Sequence, residues 1–412
     1  MPHPKIAIIG TGARSCAYAR PYSQSGQVDI VALADPDANH RKVMVKRSGV
    51  PRGFAEYDDW RHMLGEQKDL DGVVICTPNH LHADPAIACL ERGLPIALEK
   101  PLATTKADCE RIVDAERANN GRTIVGFVLR STPFYLAIHR LLSSGAIGQI
   151  VSVQADELPG WGVSSIMNRS PWRRFERVGG GAILEKCCHD MDILNWMMAS
   201  CEASTGCRPA SLNSYGGRLI FRPNPALPEK CDACGQAAQC KYYKKPALAS
   251  QEDKGEAELH DFIRMDDRCI YNIDKSNVDT QCVAIEYENG AVANFMMTFN
   301  TGGPRSGRNF HAVGHKGRVW GNMAEHKVYH YDNAANKTAE YDTSGDGSGH
   351  GGGDRVHAFE LIRMVEDANY RPDQNAMAGY LSAVMCFAAD ISRVERRRVD
   401  LLYREGGYVD IR

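Results

Sequence analysis

Five continuous apolar runs, at residues 5–10, 29–34, 72–77, 94–99 and 123–128, dominate the first third of this chain. They do not alternate polar with apolar residues, so each strand buries both faces, as in a parallel sheet covered by helices. Segments 39–48, 83–92 and 106–119 carry helical spacing and lie between the runs. A right-twisted strand feeding a helix packs back onto its sheet in one hand only. The expectation is therefore a doubly wound parallel sheet over residues 1–126, a Rossmann arrangement that takes ligands beyond the carboxyl ends of its strands.

After residue 126 the rhythm changes. Residues 134–144 and 181–199 read as helices, the second with polar groups inside an apolar stripe. Residues 150–156 begin a half-exposed strand, and 278–299 read as two antiparallel strands turning at Glu288-Asn289-Gly290. Short strands follow at 310–314 and 317–320, then a Gly/Ser-rich loop at 343–353 and closing helices at 354–368 and 376–393. Residues 127–412 are expected to form an α+β substrate and oligomerisation domain with a mostly antiparallel, open-faced sheet. A cysteine-rich insertion interrupts it at about 222–270.

The formal net charge of −2 leaves no basic excess to neutralise phosphates, which argues against nucleic acid as a partner. The chain lacks a run of about 18 apolar residues, so no membrane partner is expected. Residues 1–5 lead directly into the first apolar run without a cleavable signal pattern, and a cytoplasmic location is the expectation.

Gly10-Thr11-Gly12 ends the first strand and precedes a helical segment that includes Ala13 and Arg14. Glycines there permit a tight turn and let backbone N–H groups approach a pyrophosphate at a helix N-terminus. Ser15 holds the third fingerprint position, small enough for close packing. Asp35 ends the second strand, where a carboxylate accepts hydrogen bonds from ribose hydroxyls and repels a 2′-phosphate, favouring NAD over NADP. Arg41 nearby weakens that preference and keeps NADP possible. The alternative is that Asp35-Pro36-Asp37 caps the next helix.

Glu99-Lys100-Pro101 ends the fourth run. Together with the glycine turn, Asp35 and Thr77-Pro78-Asn79, it resembles the glucose–fructose oxidoreductase/inositol dehydrogenase (Gfo/Idh/MocA) family. Gly179-Gly180-Gly181 followed by Glu185, His189 and Asp192 is similar to that family's GGG-x3-D-x3-H-x2-D helix, with Glu185 one methylene longer than the usual aspartate. The loop from Gly349 to Asp354 and the final helix agree. The resemblance implies NAD(P)-dependent oxidation or reduction of a sugar, inositol or related polyol, and a homo-oligomer (dimer or tetramer) formed through the open sheet face. It also implies that Lys100 and His189 are catalytic, with Glu185 beside them. Thr77, Pro78, Asn79, His82, Glu99 and Lys100 join the glycine turn and Asp35 as expected cofactor contacts.

The chemistry is reasonable on its own terms. Glu185 and His189 are four apart, so a helix sets both on one face, where the carboxylate is expected to orient the imidazole and raise its basicity. Lys100, near a cationic nicotinamide, is expected to have a lowered pKa and to polarise the substrate oxygen. Arg169, Trp172 and Asp192, with Lys100 and His189, are the expected substrate contacts. Two other readings stand: an NAD-dependent glycosidase or lyase acting through a transient keto-sugar, and a non-catalytic sugar sensor.

Cys231-x2-Cys234-x5-Cys240 lies in a loop rich in Pro, Lys and Gly, with Cys269 further along the insertion. Four thiolates suit tetrahedral Zn²⁺ and would tie down a segment poor in apolar residues. Structural zinc at these four is the expectation. Cys207 and His260 are alternative fourth ligands, and an iron–sulfur cluster is an alternative occupant.

Overall fold

In the computed structural model, residues 2–201, 206–243, 267–345, 347 and 349–412 are described. Six parallel strands form the first sheet: β1 (Lys5–Ile9), β2 (Asp29–Ala34), β3 (Ala55–Tyr57), β4 (Gly72–Ile75), β5 (Ile96–Leu98) and β6 (Thr123–Val125). Their order is β3-β2-β1-β4-β5-β6. The strand order reverses between β1 and β4, which opens a crevice at their carboxyl ends. The expected doubly wound sheet is present, with β3 as an addition. That strand is only three residues long and half-buried at the sheet edge, so its sequence carries no apolar run.

Alternate residues of β1 feed two cores. Ala7 and Ile9 face one, and Ile6 and Ile8 the other. The second core contains Tyr18 and Tyr22 of helix Cys16–Ser25, and also Ala358, Leu361 and Met364 of helix Gly353–Glu366. A helix expected in the C-terminal domain thus covers a face of the N-terminal sheet. Gly72 makes room for it, since a Cβ there would sit 3.3 Å from the Leu361 and Val365 side chains.

The second sheet comprises β7 (Ile150–Leu158), β8 (Pro209–Gly217), β9 (Thr280–Tyr287), β10 (Val292–Thr298), β11 (Gly307–Gly314), β12 (Gly317–Asn322), β13 (Lys327–Asp332), β14 (Lys337–Asp342), β15 (Val399–Tyr403) and β16 (Val409–Ile411). The order is β14-β13-β12-β11-β7-β10-β9-β8-β15-β16, antiparallel except where β10 runs parallel to β7. Strands β9 and β10 bury every second residue. Their inward side chains, such as Val283, Ile285, Phe295 and Met297, belong to the same core as helix Ala182–Ser200. Helix Ala376–Glu395 packs on that helix, on β8 and on helix Lys106–Ala118, joining the two sheets' layers. By length and composition it could cross a membrane, and its apolar side chains go instead into this core. The outward face is open: Tyr215, Cys282 and Met296 align across β8, β9 and β10 and are exposed.

Candidate active site between the two domains

The nucleotide end is built by close backbone approach. Gly10 has φ +81°, and a Cβ there would lie 2.6 Å from the main chain of Cys76 and of Thr77. A Cβ on Gly12 would meet nothing within 4 Å, so this glycine borders open space. Ser15 replaces the third glycine by closing the turn itself: its buried hydroxyl donates to the Gly12 carbonyl at 2.7 Å. Asp35 accepts from the Thr11 N–H (2.8 Å) and the Asp37 N–H (2.9 Å). Burial works against its charge, but His40 and these N–H groups outweigh burial and hold the carboxyl below its usual range. Asp37, not Asp35, caps the next helix, accepting from the N–H groups of Asn39 and His40. Arg41 reaches the Asp35 carbonyl and Glu56. The Thr11 and Thr77 hydroxyls, at the ends of β1 and β4, are buried without a hydrogen-bond partner among the described residues. An orphaned buried hydroxyl costs free energy, and phosphate or ribose oxygens arriving at this crevice would satisfy both. The residues present fit a dinucleotide.

Several expected cofactor contacts are engaged within the chain. The Arg14 guanidinium spans from Glu99 (2.7 Å) to Asp354 (2.8 Å), and the Tyr18 hydroxyl donates to Glu99 at 2.9 Å. A buried carboxylate needs a cation, so Glu99 and Arg14 satisfy each other and tie the glycine turn to helix Gly353–Glu366. His82 bridges the carbonyls of Pro101 (2.8 Å) and Thr77 (3.0 Å), pinning two loops together. Ala13 opens the short turn Ala13–Ser15, and Pro78 precedes the turn Asn79–Leu81. Asn79 donates to the Gly179 carbonyl at 3.0 Å and to Glu185 at 3.4 Å.

Lys100 follows β5 and precedes a cis peptide bond to Pro101. Its Nζ lies 3.0 Å from Glu185 Oε2, while Arg173 Nε donates to Glu185 Oε1 at 2.6 Å. Burial opposes the Glu185 charge, yet these two cations bring its pKa down to about 2. Burial likewise opposes the Lys100 ammonium, and Glu185 outweighs it, so the lysine titrates above its ordinary value. The expected lowering rests on a cationic nicotinamide beside the lysine; the chain's own groups act in the opposite direction, led by the carboxylate 3.0 Å away. The expected Glu185–His189 pairing is corrected, because both Glu185 oxygens are taken by cations from other elements.

His189 is buried one helical turn beyond Glu185. Burial, then the nearby Lys100 charge, keep its imidazole neutral well below the ordinary range. Its Nδ1 has no hydrogen-bond partner among the described residues. The Phe127 ring stands edge-on at 6.0 Å and the His350 ring lies 5.9 Å away. A charged ammonium thus lies near a neutral imidazole that has no hydrogen-bond partner among the described residues.

Two expected substrate contacts are not in it. Asp192 is 1% exposed, and Arg130 takes both its oxygens, at 2.6 and 2.7 Å. Arg169 is fully buried, donating to Ser165 Oγ (2.6 Å) and to the carbonyls of Tyr242 (2.7 Å) and Arg268 (2.9 Å). Trp172 is half-buried, with the Arg173 guanidinium 4.0 Å over its ring. Arg173 belongs to the cleft, reaching it through Glu185. Its only signal in the sequence is membership of the arginine-rich stretch 169–174.

Cys231, Cys234, Cys240 and Cys269 line one cavity of about 440 Å³, together with Arg169 and Tyr242. The bridge between Lys230 and Arg268 brings Cys269 there, whereas Cys207 lies against Arg208, Glu288 and Asn289. His260 lies outside the described residues. Structural zinc is not supported: among the described residues no three His, Cys, Asp or Glu side chains are grouped to hold a metal ion. The Arg169 guanidinium donates to Cys231 Sγ at 3.5 Å.

Comparison with known proteins agrees with the fold. A family model described as "Oxidoreductase family, NAD-binding Rossmann fold" (GFO_IDH_MocA) matches residues 4–127, and its partner, "Oxidoreductase family, C-terminal alpha/beta domain", matches residues 139–382. YteT of Bacillus subtilis (strain 168) is 27% identical over 87% of this chain and 88% of its own length. The levoglucosan dehydrogenase of Pseudarthrobacter phenanthrenivorans is 34% identical over 48% of this chain and 52% of its own. Inositol 2-dehydrogenase of Salmonella typhimurium is 28% identical over 47% of this chain, which spans 54% of that enzyme. Among solved structures, levoglucosan dehydrogenase in complex with NADH and levoglucosan superposes with a TM-score of 0.73 at 20% identity, covering 97% of this chain and 99% of that one.

Proposed function

Because this chain belongs to the Gfo/Idh/MocA family of NAD-binding oxidoreductases, we propose that it moves hydride between a hydroxyl of a sugar, inositol or related polyol and the nicotinamide of NAD. Lys100 and His189 take the acid–base roles. The observation that carries the reading is a charged Lys100, just beyond β5, near a neutral His189 on the helix Ala182–Ser200 whose Nδ1 has no hydrogen-bond partner among the described residues. The names of the inositol and levoglucosan dehydrogenases support the substrate class.

Gly10, Thr11, Gly12, Asp35 and Thr77 hold the dinucleotide, which supplies the hydride acceptor when bound. Asp35, an ionised carboxylate, selects NAD by accepting ribose hydroxyls. In the cleft the Lys100 ammonium donates a hydrogen bond to the substrate oxygen and stabilises the negative charge that grows there. His189 accepts the hydroxyl proton as the C–H hydride leaves, and a carbonyl results. Glu185 keeps Lys100 protonated and aimed, and Arg173 and Asn79 hold Glu185. The first domain thus serves the nucleotide and the cleft serves the substrate. The exposed row Tyr215, Cys282 and Met296 supports self-association through the open sheet face. A structural metal at the four cysteines is not part of this reading.

The test is a panel of sugars, inositols and glycosides offered with NAD and with NADP, following NADH absorbance and aglycone release together. Net NADH formation with NAD is expected. NAD binding without turnover across the panel, or glycoside cleavage without net NADH, overturns the reading.

A further inference from the structure

We propose that His350 is a second substrate-contacting histidine, whose Nε2 accepts a hydrogen bond from a hydroxyl adjacent to the one that reacts, with Asp354 fixing its ring. The proposal rests on the polyol reading above.

His350 opens the turn His350–Gly352, directly before helix Gly353–Glu366. Its ring lies 5.9 Å from that of His189, with the planes inclined at 49°. The two rings are neither stacked nor hydrogen-bonded to each other. They are close enough for one small polyol to touch both, since each hydrogen bond spans about 2.6–3.2 Å. The His350 side chain is 36% exposed, so a ligand arriving from solvent reaches it.

The ring's orientation is fixed. Its Nδ1 lies 3.0 Å from Asp354 Oδ1. Asp354 is held ionised by His350 and by Arg14, whose guanidinium is 2.8 Å away, despite burial. A carboxylate only accepts, so Nδ1 carries the proton and Nε2 of the neutral ring is the acceptor. Burial and the charges of Arg14 and Arg308 favour the neutral ring, and Asp354 opposes them without prevailing. Glu157, paired with Lys186 at 3.0 Å and with Arg308 at 2.9 Å, and Asp190, paired with Arg308 at 2.7 Å, are further charged groups on that side. Because Arg14 comes from the glycine turn, the nucleotide loop itself holds this ring through Asp354.

The backbone argues in the same direction. His350 has φ +51°, a left-handed conformation that costs a non-glycine residue roughly 1–2 kcal/mol. A glycine would make this turn without strain, as Gly351 and Gly352 on its C-terminal side do. The imidazole is what the strain retains.

The test uses the full-length protein with His350→Ala and His350→Gln, glutamine keeping a carbonyl acceptor. Wild type is first assayed with NAD on myo-inositol, scyllo-inositol, levoglucosan and D-glucose. The best of these is then compared with its analogue lacking the adjacent hydroxyl. The expected result is a roughly tenfold rise in KM for His350→Ala on the hydroxylated substrate, the value of one hydrogen bond. His350→Gln recovers part of it, the deoxy analogue abolishes the difference from wild type, and NAD affinity by protein fluorescence is unchanged. An unchanged KM, or a loss that persists undiminished on the deoxy analogue, overturns the proposal. Failure of wild type on all four substrates is a different result: it removes the polyol reading, and this inference with it.

Discussion

Lys100, at the end of a strand in the first sheet, and Glu185, on the helix Ala182–Ser200, form an ion pair of 3.0 Å that joins the two halves of the cleft. It sets the charge on the lysine and engages the carboxylate that sequence spacing assigns to His189. Replacing Glu185 by Gln removes the charge that raises the Lys100 pKa. The alkaline limb of the kcat/KM profile for alcohol oxidation should then move to lower pH. No inflection is expected near the ordinary histidine value of 6.5 in wild type, because His189 stays neutral to much lower pH. A pH–rate series on both proteins checks the two statements.

The glycine turn makes two contrasting predictions. Gly10→Ala puts a Cβ 2.6 Å from the Cys76 and Thr77 main chain at a left-handed φ. It should cost at least ~1–2 kcal/mol of stability and lower Tm even without nucleotide. Gly12→Ala meets no neighbour. Its Tm should match wild type, while its NAD affinity falls because the methyl enters the space the pyrophosphate needs.

Asp35 should govern the choice of cofactor. Asp35→Ala removes a charged acceptor worth roughly 1.5–3 kcal/mol per hydrogen bond. A loss on the order of 10–100-fold in kcat/KM for NAD is expected, with NADP gaining through Arg41. Steady-state kinetics with both nucleotides decide it.

Asp192 should act on stability alone. Its carboxylate and Arg130 form a bidentate buried pair, and breaking such a pair typically costs ~3–5 kcal/mol. Asp192→Asn should lower the denaturation midpoint strongly and leave KM for the substrate unchanged. A raised KM in folded protein would return Asp192 to the substrate site.

The first domain was legible because parallel strands buried on both faces must be continuously apolar, and β1, β2 and β4 are. Lys100, Glu185 and His189 were named together by the family resemblance, and the fold brings Lys100 and Glu185 into contact. Pairing was not legible. Glu185 meets Lys100 across 85 residues of sequence, and Arg14, Arg169 and Asp192 look like ligand contacts until their buried partners are seen. A charge in an apolar stripe announces that it needs a counter-charge or hydrogen bonds, but the fold decides which. Strands β13 and β14 are not legible, for the opposite reason: β14 is exposed along its whole length and carries no apolar period. The cysteines show the limit of spacing alone, since they converge on one cavity without grouping around an ion.

The account turns on Lys100 and His189 sharing the acid–base work on a polyol hydroxyl. The most direct test measures NADH formation by wild type, Lys100→Met and His189→Ala on the best substrate of the panel, with NAD affinity measured in parallel. Each substitution should lower kcat by roughly 10²–10⁴-fold while NAD still binds. Full turnover by Lys100→Met, with nucleotide bound normally, would contradict it.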